Sequence, residues 1–316
     1  MECEVKIMDY IVETTDLTKC FGKEKAVNQL NVKIKKGEIY GFLGPNGAGK
    51  TTTIRMLLGL IKPTSGTVHV FQKDLKNERI TILKQIGSLV ENPSYYPHLT
   101  AVENLETVRI ILGVPKKRIF EVLEIVGLTD VAHKKVKGFS LGMKQRLGIA
   151  TALLSEPKLL ILDEPTNGLD PSGIIEIRQL IKRLPAECGM TILISSHLLS
   201  EIDQMATTVG IVSKGKLIFQ DSIEAMRKFS QQNIVLKVND CQQAYRLLLA
   251  NGIQSNIKDE WLSLPERSDE EIAEVVRLLV QHDYSIFRVE EEKKSLEQIF
   301  LQMTKEAATV DPSSIA

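Results

Sequence analysis

No sign of charge dominates this sequence: its 316 residues carry 40 lysines and arginines against 40 aspartates and glutamates. A nucleic-acid-binding chain ordinarily shows a basic excess or a clustered basic stripe. Neither is present, so nucleic acid is not expected as a partner. Cysteine is scarce: Cys3, Cys20, Cys188 and Cys241 are too scattered for a disulfide framework or for the CxxC spacing of a zinc site. That usage fits a reducing, cytosolic setting. No uncharged apolar run approaches the roughly 20 residues that cross a bilayer. The N-terminus places Glu2, Glu4 and Asp9 where a secretory signal would have a basic segment and an apolar stretch, so no signal is expected. A membrane role would therefore be exercised through a partner.

What is present is an ordinary globular composition, with 43% apolar and 25% charged residues. The length allows a large domain with a smaller attachment. The first two-thirds alternates short apolar runs with helical patterns, which predicts an α/β domain with a largely parallel sheet. Ile39 to Leu43, Leu159 to Leu162 and Thr191 to Ile194 read as buried strands. Thr100-Ala-Val-Glu103 is a capping-box pattern, and Asp170-Pro171 sets an N-cap before a proline at the first helical position. From about Glu224 the signals become shorter and more regular, which sets the expected domains at 1–223 and 224–305, with 306–316 a polar tail without fixed structure. In the smaller domain, Ile234 to Val238 reads as strand and Gln242 to Ala250 as helix. Ile253 to Ile257 and Trp261 to Leu264 read as strands, Ser268 caps a helix to about Gln281, and Tyr284 to Val289 closes as strand. That order, β-α-β-β-α-β, is the ferredoxin-like pattern. Leu296 to Met303 reads as a final amphipathic helix. Glu290 to Glu292 reads as a solvated turn, and Trp261 as core.

The chemistry begins at Gly44-Pro45-Asn46-Gly47-Ala48-Gly49-Lys50-Thr51, which fits the P-loop template G-x4-G-K-T between an apolar strand and a helix. Its glycines allow a tight turn whose N–H groups point at phosphate oxygens, and the helix N-terminus adds partial positive charge. Lys50 would reach the β- and γ-phosphates, and the Thr51 hydroxyl would help hold Mg²⁺. Thr52 completes the candidate loop residues. Further on, Leu159-Leu-Ile-Leu-Asp163-Glu164 ends a buried strand in two carboxylates. The first is placed for Mg²⁺ and the second for taking a proton from water. Between the two, Ser140 in Phe139-Ser140-Leu141-Gly142-Met143-Lys144-Gln145-Arg146 reads as an N-cap able to bind an anion.

The order of P-loop, Ser-x-Gly-x-x-Gln, Leu-Asp-Glu, Gly-Leu-Asp and a lone His after a strand resembles the ABC ATPase family over about residues 11 to 220. The resemblance implies a P-loop NTPase fold with a helical subdomain, and ATP with Mg²⁺ as cofactors. It further implies that Gly44 to Thr51 are Walker A and that Ser140, Gly142 and Gln145 belong to a variant signature motif. Asp163 and Glu164 correspond to Walker B and its catalytic glutamate, Asp170 to the D-loop, and His197 to the switch histidine. Phe21 falls where that family stacks an aromatic ring on adenine. In that family the signature serine completes the opposite subunit's site, so this chain, with one motif set, is expected to pair with a second copy of itself.

Two departures stand out. The signature reads Ser-Leu-Gly-Met-Lys in place of Ser-Gly-Gly-Gln. At the Q-loop position Glu91 stands where glutamine is usual, near the metal and phosphates. That Glu, with Ser94-Tyr-Tyr-Pro-His-Leu99 after it and Ser295-Leu-Glu-Gln-Ile-Phe300 near the end, resembles the bacitracin-resistance and lantibiotic-immunity exporters. The subgroup implies separate membrane-spanning permease subunits, a peripheral position on the cytoplasmic face of the membrane, and an antibiotic cargo. Tyr95, Tyr96 and Leu99 are candidate permease contacts, with simple packing as the alternative. The competing functional readings are a soluble ABC ATPase of ribosome or DNA metabolism, an exporter of unrelated cargo, and a nucleotide-binding regulator without turnover.

Overall fold

A computed structural model describes residues 10–90, 94–228, 232–265, 267–293 and Phe300. Glu91 and, apart from Phe300, the helix expected over Leu296 to Met303 lie outside the described residues, as does the expected tail. The chain divides into two compact units, the first running to Ile223 and the second beginning at Glu224.

In chain order the first unit opens with β1 (Tyr10–Phe21), β2 (Glu24–Leu30), β3 (Lys33–Lys35) and β4 (Ile39–Leu43), then α1 (Lys50–Leu57), β5 (Ser65–Val70), β6 (Lys73–Asp74), α2 (Leu75–Leu83) and β7 (Ile86–Leu89). Three helices follow, α3 (Ala101–Leu112), α4 (Lys117–Ile125) and α5 (Leu141–Leu153). The chain then returns to β8 (Leu159–Asp163), α6 (Pro171–Cys188), β9 (Thr191–Ser196), α7 (Leu199–Met205), β10 (Thr208–Ser213) and β11 (Lys216–Ser222). Helix α8 (Ile223–Lys228) leads into the second unit, formed by β12 (Gln232–Val238), α9 (Cys241–Ala250), β13 (Asn256–Lys258), β14 (Trp261–Leu264), α10 (Asp269–Gln281) and β15 (Ile286–Lys293).

The first unit has two sheets. One is antiparallel and joins β1, β2, β3, β5 and β6. The other runs β11-β10-β4-β9-β8-β7, parallel except for β11 at its edge. Strands β4, β8 and β9 are buried at every position, which is why they read as unbroken apolar runs in the sequence and not as alternating ones. Because β4, β9 and β8 are neighbours, Leu43 aligns with Ser196 and Asp163 with Ser195, so the three loops leaving their carboxyl ends start side by side. That edge is where open α/β sheets bind ligands. The helices α3 to α5 carry their own terminal chemistry: Thr100 and Glu103 form the expected capping box on α3, and Ser140 caps α5.

In the second unit four antiparallel strands run β13-β14-β12-β15, the ferredoxin-like order. Its core is apolar, with Leu236, Leu248, Leu262, Leu264 and Leu279 fully buried. Burying each of these side chains is worth about 1.5–3 kcal/mol. Three expectations need correction here. The acidic run Glu290 to Glu292 is not a turn; it extends β15 alongside Asn233 to Val235 of β12. An edge strand with a solvent face accommodates such charges and is protected by them. Strand β13 begins only at Asn256, because the Ile253 N–H is used to close α9 on the Leu248 carbonyl. Trp261 is only partly buried, with the Lys237 ammonium 5.8 Å from its ring centroid.

Candidate active site

The loop after β4 is shaped by its own backbone. Gly44 donates its N–H to the Ser196 carbonyl at 3.3 Å, and Ala48 donates to Pro45 at 3.1 Å. Pro45, Asn46 and Gly47 are exposed at the tip. Gly49 caps α1 at φ 101°, and a Cβ there would lie 2.4 Å from the Ala26 carbonyl oxygen, so no other residue fits. The first intrahelical bond runs from the Thr53 N–H to the Gly49 carbonyl. The amides of Lys50, Thr51 and Thr52 therefore have no carbonyl behind them in the helix and face outward, the arrangement that receives an anion.

Two side chains of this turn reach the neighbouring strand ends. Lys50 is 6% exposed; its ammonium donates to the carbonyls of Gly44 at 2.6 Å and Pro45 at 3.3 Å, and lies 3.3 Å from Glu164 Oε1. The Thr51 hydroxyl donates to Asp163 Oδ2 at 2.9 Å. Asp163 Oδ1 accepts from the Ser195 hydroxyl at 2.5 Å, and the same Ser195 Oγ accepts the Glu164 N–H at 2.9 Å. Glu164 Oε2 lies 2.8 Å from His197 Nδ1. Lys50, Thr51, Asp163, Glu164 and His197, picked from separate parts of the sequence, thus form one connected cluster.

Glu164 has a left-handed backbone, φ 49°, which costs a non-glycine residue about 1–2 kcal/mol. The Ser195 hydroxyl holds its N–H in that conformation, and the turn aims the carboxylate back between Lys50 and His197. The cluster holds two carboxylates and one fixed cation. Its oxygen donors Thr51 Oγ1 and Asp163 Oδ2 sit together at the sheet edge, a hard-oxygen pair of the kind Mg²⁺ uses along with phosphate oxygens and water.

The other candidates lie elsewhere. Phe21 is 54% exposed at the end of β1, with the Lys19 ammonium 5.2 Å from its ring centroid, so it is a surface aromatic and not core. Ser140 accepts the Met143 N–H at 3.2 Å, and Gly142 and Gln145 lie on the first turns of α5. Asp170 caps α6 through the Gly173 N–H at 3.0 Å. A Cβ on Gly142 would come 3.7 Å from the Gly173 Cα, so the start of α5 lies against the start of α6. Among the described residues no hydrogen bond or ion pair joins Ser140, Gly142, Gln145 or Asp170 to the Lys50 cluster. The Tyr95 hydroxyl bonds to the Lys144 carbonyl on α5, and burial pushes its pKa up. Tyr96 is exposed.

Sequence reasoning missed a set of hydroxyls and one carboxylate behind the cluster: Ser195, Ser196, Thr166 and Glu201, all less than a tenth exposed. The available signal was the pair Ser195-Ser196 ending an otherwise apolar strand.

Comparison with known proteins places this geometry. The ABC transporter family matches residues 27–167. The bacitracin transport ATP-binding protein of Bacillus licheniformis is 54% identical over 242 residues, 76% of this chain and 79% of that protein. The lantibiotic transport ATP-binding protein of Streptococcus pyogenes is 44% identical over 221 residues, 70% of this chain and 95% of that protein. Among solved structures, a dimeric ATP-binding cassette in a post-hydrolysis state bound to ADP and Pi superimposes with a TM-score of 0.60 at 29% identity, covering 67% of this chain and 98% of its own. With the phosphate loop, the paired carboxylates and the histidine already in one cluster, these likenesses settle the family: the chain belongs to the ATP-binding proteins of ABC transporters and is an ATPase.

Proposed function

We propose that this chain is the ATP-hydrolysing subunit of an exporter for a peptide antibiotic of bacitracin or lantibiotic type, acting on separate membrane-spanning permease subunits from the cytoplasmic face of the membrane. The observation that carries the catalytic part is the Lys50–Glu164–His197 cluster, in which one carboxylate bridges the phosphate-loop lysine and the histidine. Glu164 is the general base for the attacking water, and His197 orients it and meets the γ-phosphate. Lys50 cannot serve Glu164 and the phosphates at once. As phosphate oxygens recruit its ammonium, Glu164 Oε1 is released to accept a proton, so substrate binding itself arms the base. The Lys50, Thr51 and Thr52 amides cradle the phosphates, and the exposed Phe21 ring stacks on the adenine. Thr51 and Asp163 would hold Mg²⁺, which when bound neutralises charge on the β- and γ-phosphates.

Among the described residues, Ser140, Gly142, Gln145 and Asp170 form no hydrogen bond or ion pair with the cluster of their own chain, which supports a homodimer in which they complete the partner's site. Glu91 comes two residues after the end of β7 in the sequence, and we assign it to the water or metal side of the nucleotide. No helix among the described residues is long and apolar enough to cross a membrane, which supports a peripheral subunit with a separate permease. The cargo assignment rests on the bacitracin and lantibiotic transport relatives.

The catalytic reading is tested with Glu164→Gln. Turnover should fall about 10²–10⁴-fold while ATP still binds, and turnover close to wild type would reject Glu164 as the base. The cargo reading is tested by deleting the gene: sensitivity to bacitracin and lantibiotics should rise, and no change to either would remove it.

A further inference from the structure

The loop that carries Glu164 and the turn that carries His197 leave adjacent strands, and both are hydrogen-bonded to one residue outside the cluster. Glu201, in α7, is 6% exposed. Its Oε2 accepts the Thr166 hydroxyl at 2.6 Å and the Ser196 hydroxyl at 2.9 Å. Thr166 follows Glu164 by two residues on the way to Asp170. Ser196 precedes His197, and its Oγ accepts the Leu198 N–H at 3.0 Å, so both neighbours of the histidine are fixed through a hydroxyl that Glu201 holds. We propose that Glu201 is a positioning residue that keeps His197 and Glu164 in register by clamping the loops on which they sit.

The chemistry of the clamp favours a carboxylate. Among the described residues no basic side chain pairs with Glu201, so its burial is compensated by hydroxyl donors rather than by a counter-ion. A carboxylate is acceptor-only, and it therefore fixes the direction of both hydroxyls. With its proton turned to Glu201, Ser196 has lone pairs left for the Leu198 N–H. A second serine works in parallel, since Ser195 receives the Glu164 N–H and donates to Asp163. The end of β9 is thus a short framework of hydroxyls, one aligned on Asp163 and one on Glu201. If Glu201 were truncated, Thr166 and Ser196 would lose their common acceptor, and the Glu164–His197 distance of 2.8 Å would no longer be imposed from behind. A misplacement of reacting groups by about 1 Å costs on the order of 10²-fold in rate.

This inference rests on Glu164 and His197 being the catalytic pair, and the experiment separates the two claims. ATP turnover is measured for the full chain carrying Glu201→Ala, Glu201→Gln or Thr166→Val, with folding checked by thermal melting and kcat and KM determined separately. Glu201→Ala should lower kcat about 10- to 100-fold with the KM for ATP within about threefold, because the phosphate loop is untouched. Glu201→Gln, whose carbonyl oxygen can still accept both hydroxyls, should restore kcat to within about threefold of wild type. Thr166→Val cuts one arm and should fall between; combined with Glu201→Ala it should add nothing further, as expected of residues in one network. If Glu201→Ala does not fold, Thr166→Val decides the matter by the same kcat reading. Unchanged kcat in the folded variants would overturn the clamp, and so would a glutamine variant as slow as the alanine one. Normal turnover in Glu164→Gln would instead remove the catalytic reading beneath it, whereas a stopped Glu164→Gln beside normal Glu201 and Thr166 variants would remove only the clamp.

Discussion

In the first unit the interior holds Lys50, Asp163, Thr166, Ser195, Ser196 and Glu201, all buried and gathered where β4, β8 and β9 end. In the second unit the buried polar residues, among those described, are Ser255 and Ser263, and the rest of the core is apolar. Burying a polar group costs free energy unless each donor and acceptor is met, and at these strand ends the demand is met by hydroxyl-to-carboxylate bonds and by the carbonyl and carboxylate partners of Lys50. The second unit buries few such groups, and among its described residues the Ser255 hydroxyl is buried without a hydrogen-bond partner. The contrast separates a region whose interior is rich in paired polar groups from one whose interior is almost wholly apolar, and it predicts that each can be disturbed without the other.

The largest effect is expected from Lys50→Ala. It should lower ATP turnover by about 10²–10³-fold, the usual cost of removing one positioned donor to transition-state charge. Denaturant unfolding of the second unit, followed through Trp261 fluorescence, should be unaltered. Leu236→Ala should do the reverse, destabilising the second unit by about 2–5 kcal/mol while turnover per folded molecule stays within about twofold. If either change moves both readouts, the two interiors are not independent.

Helix capping should erase the contrast, because a cap is local wherever it lies. Thr100→Ala in the first unit and Ser268→Ala in the second each remove the side chain of a complete capping box. Each should cost about 1 kcal/mol in urea denaturation, and a difference of more than about twofold between them would show that tertiary context enters the cap. The smallest effect concerns pH. The Thr100 N–H, and then its hydroxyl, hold the Glu103 carboxyl below its ordinary value. A lowered folded pKa gives stability that is present above the unfolded value, about 4.3, and is lost as pH falls through the folded one. The stability gap between the wild type and Glu103→Gln should therefore be present at neutral pH and close in acid.

Much of this was legible in the sequence for definite reasons. Buried parallel strands announce themselves as continuous apolar runs, so β4, β8 and β9 could be placed. The phosphate loop has a fixed spacing because its geometry admits few alternatives, and the capping boxes are short-range chemistry. What could not be read depends on contacts between distant segments. Glu201 sits in a helix where a glutamate ordinarily faces solvent, and nothing local reveals that Thr166 and Ser196 wait for it. Ser195 is one residue past the apolar run and looks like its polar end. The charges of Glu290 to Glu292 signal solvent, which is correct for the side chains of Glu290 and Glu291, but they do not report that the backbone beneath the run is paired with β12.

The left-handed backbone of Glu164 sets this position apart from its neighbours. Glycine would occupy that conformation without steric penalty, so a sequence chosen only for folded stability would place glycine directly after Asp163. Local strain and chemistry rank the candidates for this site in opposite order. If Glu164 is the base proposed above, a stability-guided redesign of the domain would therefore tend to remove it first, yielding a sturdy protein that still holds its substrate and no longer consumes it.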